Sequence, residues 1–161
     1  MRPTLAFLQN MWVRDPQRVL DGIARGGERY RRRAIYQFLF GGCLTGRRLR
    51  AAFGDRIGEI EWEESTREIA SDSHRICLPQ PDHIRAAIAT YQPKIVLVFG
   101  RVAGDAVSAI WTGPLIQAPH PAARQSYVPD MLKAAAEALS MSLYTLDTER
   151  QPCQNPVTQG P

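Results

Sequence analysis

Cysteine is scarce. Three thiols, Cys43, Cys77 and Cys153, lie far apart in the 161 residues, an odd number with no Cys-x-x-Cys spacing and no histidine at ligand distance in sequence. That excludes a disulfide framework and argues against a zinc site, leaving small apolar thiols in a reducing compartment. Long apolar runs are missing as well: nothing approaches the roughly 18 consecutive apolar residues of a membrane-spanning helix, and MRPTLAFLQNMW at the start has too short an apolar run for a secretory signal. A soluble, cytoplasmic protein with no membrane partner is expected. Lysine is almost absent, since Lys94 and Lys133 stand alone beside arginine among 20 basic residues. There is no internal repeat, no Gly-Lys-Ser/Thr phosphate loop and no cofactor fingerprint, so neither cofactor nor metal is expected.

What remains is an ordinary globular composition, 44% hydrophobic and 22% charged. It suits one α/β domain over 1–146, with 147–161 as a flexible tail whose ERQPCQNPVTQGP has little capacity for packing. Charge is unevenly placed. Met1 to Arg56 carries 12 arginines and 4 acidic residues, a balance of +8, whereas Ile57 to Pro161 carries 8 basic and 12 acidic residues, a balance of −4. The N-terminal third is therefore the candidate polyanion face, and arginine suits bidentate phosphate contact.

Apolar patterning alternates between strand and helix. TLAFLQNMW reads as a buried strand, and Asp15–Pro16 as an N-cap with proline in the first turn of a helix that stops at Gly26–Gly27. ERYRRR reads as a basic surface stretch, and Thr45 or Gly46 opens a short helix with Leu49, Ala52 and Phe53 inward. Ile57 to Trp62 suggests an edge strand or loop, and Ser73 to Pro79 a short strand. Asp82 caps a helix to about Tyr91, Lys94 to Gly100 is the clearest strand, and Arg101 to Trp111 is helical. Pro114 to Ala118 is another strand, Pro129 or Asp130 opens a helix to about Ser140, and MSLYTL reads as a last strand. Strands buried on both faces and separated by helices predict a three-layer α/β/α sandwich around a mostly parallel sheet. In such sheets ligands bind beyond the carboxyl ends of the strands. That points to Gln9–Trp12, Gly100–Arg101 and Ala118–Pro121.

The order LQNMW, VLVFGRVAGDAV, IQAPHPAAR resembles the uracil-DNA glycosylase superfamily over most of Leu5 to Leu139. Members carry Gly-x-(Asp/Asn/Glu)-Pro after the first strand, a late hydrophobic strand ending in glycine, and a His-Pro-(Ser/Ala) loop before the last helix. Leu8 replaces the glycine, and Met11 and Trp12 replace the proline and its successor. The resemblance implies the fold of that superfamily, DNA as partner, and a flipped pyrimidine whose N-glycosidic bond is cleaved. It places Asn10 at the catalytic acidic or amide position and His120 as donor to a pyrimidine carbonyl oxygen.

The residues themselves bear on these roles. An amide at Asn10 has no usable pKa for general-base work, but it can hold a water in line or, equally, satisfy a turn backbone through an Asx bond. His120 sits between two prolines, which fix its backbone and aim its ring, whereas His74 and His83 read as ordinary surface or capping residues. Gln9 and Trp12, with Phe38 and Phe40, are the candidates for holding and stacking a base, although Phe38 and Phe40 also fit a helical core stripe. Arg47, Arg48 and Arg124 are candidates for phosphate contact. Two other functions fit the same residues: a phage-type enzyme that displaces an activated group at the 5-methylene of a flipped, modified thymine with an amine or amino acid, and a DNA-binding module without catalysis.

Overall fold

A computed structural model describes residues 3–148. β1 (Thr4–Leu8) is buried along its whole length, as its unbroken apolar run requires. It is flanked by β2 (Glu61–Glu64) on one side and β3 (Ile95–Phe99) on the other, with β4 (Leu115–Ala118) beyond β3, all parallel in the order β2-β1-β3-β4. Side chains alternate between two cores. Ala6, Leu8, Leu97 and Phe99 face one cluster, while Leu5, Phe7, Val96 and Val98 face the other.

Helices cover both faces. The first cluster takes in residues of α1 (Pro16–Phe40), α2 (Leu44–Phe53) and α5 (Val128–Thr148), with Trp62 stacked on Phe99 at 5.8 Å. The second takes in residues of α3 (Pro81–Tyr91) and α4 (Arg101–Ser108). The layered α/β arrangement and parallel sheet expected from the alternation are thus present. Asp15 caps α1, its carboxylate accepting from the Arg18 N–H at 3.2 Å.

Several local expectations are corrected. The helix continues past Gly27, which breaks its geometry with φ +60° but restarts it, so ERYRRR is helical and Arg31 is buried rather than on the surface. Ser73 to Pro79 forms no strand and lies outside the sheet. Gln80, not Asp82, occupies the N-cap of α3, with Pro81 in its first turn. MSLYTL is the last part of α5: Leu139 is buried in the first core, and Leu143 and Leu146 pack against it at helical spacing. His83 is buried, not superficial. α2 begins at Leu44, capped by Cys43, whose sulfur accepts from the Gly46 N–H. Cys77 is buried as expected of a small thiol; Cys153 and residues 149–161 of the expected tail lie outside the described residues. No described helix is long and apolar enough to cross a membrane.

Candidate functional site

The chain leaves β1 for β2 on one side and later returns to β3 on the other, so β1 and β3 flank the point where the winding direction changes. A crevice at their carboxyl ends is the standard ligand site of such sheets. A cavity of about 330 Å³ opens there, near the lower end of the volumes small-molecule sites take. Leu8, Gln9, Asn10 and Trp12 reach it from β1, Glu64 from β2, His120 with Ala122 and Ala123 from the loop after β4, and Phe38 and Thr45 from the helices. Ser73 to Ile76 close another side.

Gly100 is what lets these loops meet. It ends β3 with φ +94°, and a Cβ built on it would stand 2.9 Å from Gln9 Oε1 and 3.4 Å from the Cβ of His120. Only glycine combines that backbone with so close an approach.

His120 is held by its own loop. The Ala122 N–H donates to Nδ1 at 3.2 Å, which makes Nε2 the protonated nitrogen of the neutral ring. Burial lowers the imidazole pKa to about 4, so the ring is neutral at physiological pH. Arg48 braces the same loop, donating to the carbonyls of Pro121 at 2.8 Å and Ala123 at 2.7 Å. That occupies a side chain expected to reach for phosphate. Arg47 and Arg124 are exposed beside the cavity-lining residues Thr45 and Ala123.

Asn10 is tied to the facing loop. Its Oδ1 accepts from the Cys77 N–H at 3.0 Å, and its Nδ2 donates to the carbonyls of Arg75 and Met11, each at 3.3 Å. The amide thus pins the 73–77 wall of the cavity by a long-range bond, not by the local Asx turn weighed from sequence. Gln9 is buried, and its carbonyl accepts from Ser65 Oγ at 2.6 Å, joining the ends of β1 and β2. Trp12 is 38% exposed at the rim. Phe38 lines the cavity while packing on the first core. Phe40 is outside it, stacked on Tyr36 at 6.0 Å and 39% exposed. Of the nine expected site residues, five share the cavity: Gln9, Asn10, Trp12, Phe38 and His120.

Glu64 went unnoticed in the sequence. It is 2% exposed, and neither carboxylate oxygen has a hydrogen-bond partner. Burial foremost, then the charge of Glu63, raises its pKa to about 8 against the opposing pull of Arg31. Glu63, its neighbour, is also buried but paired with Arg31 at 2.7 Å, and Arg31 also meets Glu28 at 2.8 Å. His83 joins that network: its Nδ1 accepts from Arg67 Nε at 3.2 Å, and its Nε2 lies 3.1 Å from the Glu64 carbonyl and 3.2 Å from Arg31 Nη2. Burial and the two arginines lower its pKa to about 4. Within this network the Glu64 carboxyl is the group with no hydrogen-bond partner.

A larger hollow of about 480 Å³ lies at the amino end of β2, among Glu28, Arg29, Arg32, Tyr36 and Glu61. Its charges already neutralise one another, with Arg32 on Glu61 at 2.7 Å, and it sits at the wrong end of the strands for a site of this sheet type. Among the described residues no group of three His, Cys, Asp or Glu is placed to hold a metal ion. Comparison of the chain with protein-family models and with curated proteins finds no match.

The carboxyl-end cavity therefore offers one neutral imidazole donor, an amide and an aromatic rim, with the Glu64 side chain buried in its wall. Such a site can receive a planar heterocycle with carbonyl groups and stabilise negative charge on it.

Proposed function

We propose that the protein is a DNA-acting enzyme of the uracil-DNA glycosylase type, which draws a pyrimidine nucleotide out of the stack into the carboxyl-end cavity and cleaves its N-glycosidic bond. The observation that carries this reading is the convergence of Gln9–Asn10, after the first strand, and His120, after the last, on one cavity. His120 presents Nε2–H to a pyrimidine oxygen as the bond breaks, and because the ring is neutral it donates without carrying a competing charge. One preorganised donor of this type contributes about 3–4 kcal/mol to the transition state. Trp12 supplies a stacking surface at the rim, worth about 1–3 kcal/mol per base. The exposed Arg47 and Arg124 are the candidates for phosphate contact, while Arg48 acts by holding the His120 loop. Asn10 positions the 73–77 wall.

The test is mass spectrometry of oligonucleotides carrying uracil, 5-hydroxymethyluracil or a thymine mismatch after incubation with the protein. Loss of a base from at least one of them, reduced about 100-fold or more in His120→Ala, is expected. Gain of an adduct on a 5-substituted base would replace hydrolysis by group transfer in the same cavity, and no change on any strand would leave only binding.

A further inference from the structure

The carboxyl of Glu64 is the one polar group in the cavity whose burial no protein partner explains. A solvent-facing glutamate at the end of an edge strand would be unremarkable, but this one is buried beside Leu8, its register partner on β1, and lines both the cavity of His120 and a smaller hollow beside Met11, Ile35 and Thr66. Both oxygens stay unbonded, and the nearby guanidinium of Arg31 is committed instead to Glu63 and Glu28. An orphaned buried group costs stability, so its retention points to a ligand that completes it.

We propose that Glu64 is the proton donor of the site, its carboxylic acid protonating the departing pyrimidine. This rests on the base-excision reading above and assigns the acid within it. As the C1′–N1 bond breaks, its electron pair moves into the ring and the Glu64 proton is transferred to the ring. Water then forms the new C1′–O bond and returns a proton to the Glu64 carboxylate, so the enzyme ends as it began. His120 holds the pyrimidine oxygen by hydrogen bond and transfers no proton. Asn10, with its amide committed to the 73–77 loop, is a positioning residue.

Charged and titratable groups surround Glu64 on several elements. Glu63 stands beside it on β2 and is ion-paired with Arg31 of α1. His83 of α3 and His120 of the loop after β4 are neutral above about pH 4. From the loops come Arg67 and Glu68 on one side and His74, Arg75 and Cys77 on the other, with the Cys77 thiol pushed above its ordinary value by burial. Glu64 itself loses its proton at about pH 8.

The experiment is single-turnover release of uracil from an oligonucleotide between pH 6 and 10, by wild type and by Glu64→Gln, with folding checked by near-ultraviolet circular dichroism and affinity by fluorescence anisotropy. Glutamine keeps the size and a hydrogen-bond donor but has no proton to transfer. Expected are a wild-type rate that falls above about pH 8, and a Glu64→Gln rate at least 100-fold lower without that limb, at DNA affinity within about threefold of wild type. Two results overturn the donor role and leave base excision standing: a wild-type rate that does not fall up to pH 10, or a Glu64→Gln variant within about threefold of the wild-type rate. No release by wild type at any pH overturns base excision, and the donor role with it.

Discussion

Burying an unpartnered carboxyl at Glu64 works against folding. The folded protein keeps this proton to about pH 8, whereas the unfolded chain gives it up near 4.5. The folded state thus binds more protons throughout that window, and stability drains as pH rises through it. At pH 7 the drain is about 2–3 kcal/mol, taking 1.36 kcal/mol per pKa unit as an upper guide. Glu64→Leu is expected to raise the melting temperature at pH 8 by several degrees and by much less at pH 5, while abolishing activity; calorimetry at the two pH values checks it. His120 and His83 act with the opposite sense: both are held neutral when folded, so their contribution is lost as pH falls from 6.5 towards 4. His120 was legible in the sequence because two prolines announce a fixed loop. Glu64 was not, because EWEE reads as an acidic edge, and which of its glutamates is paired depends on Arg31, a residue that looks like part of a basic surface until α1 is folded onto β2.

The elements around the site are coupled through β3 and its glycine. Gly100→Ala places a Cβ into Gln9 Oε1 at a left-handed φ, so either the strand end or Gln9 must shift within the cavity. A loss of about 1–3 kcal/mol in chemical denaturation is expected, with base release falling about tenfold or more, beyond what the remaining folded fraction explains. β1, β3 and β4 could be read from sequence because their apolar residues are contiguous and bounded by polar or turn residues. β2 could be placed as an edge strand but not bounded, since three of its four residues are glutamates, two of which are held by arginines of α1. The strand reading failed for MSLYTL because its apolar residues also satisfy helical spacing, and packing against the first core decides for the helix. It failed for Ser73 to Pro79 because that segment is anchored through Asn10 and not through a strand partner.

Across the molecule the +8 balance of the N-terminal third overstates the surface it offers to a polyanion. Arg31 and Arg32 neutralise Glu63 and Glu61, and Arg48 is spent on loop carbonyls. Arg47 and Arg124 are exposed, as are Arg29 and Arg33 on α1. Net charge therefore favours a polyanion only in general, and on the proposed function the cavity at the carboxyl ends of the strands has to supply the specificity. Two hollows compete for that role, and they differ in lining and in the strand end they occupy. They can be told apart by nuclear magnetic resonance of isotope-labelled protein titrated with a short oligonucleotide carrying one 2′-fluoro-deoxyuridine, which resists cleavage. The resonances of the His120 ring, the Gln9 amide and the Trp12 indole should move together on saturation, with Arg29, Arg32 and Tyr36 unmoved. Perturbations confined to Arg29, Arg32 and Tyr36, with His120 and Gln9 still, would contradict a base-binding cavity between the first and last strands.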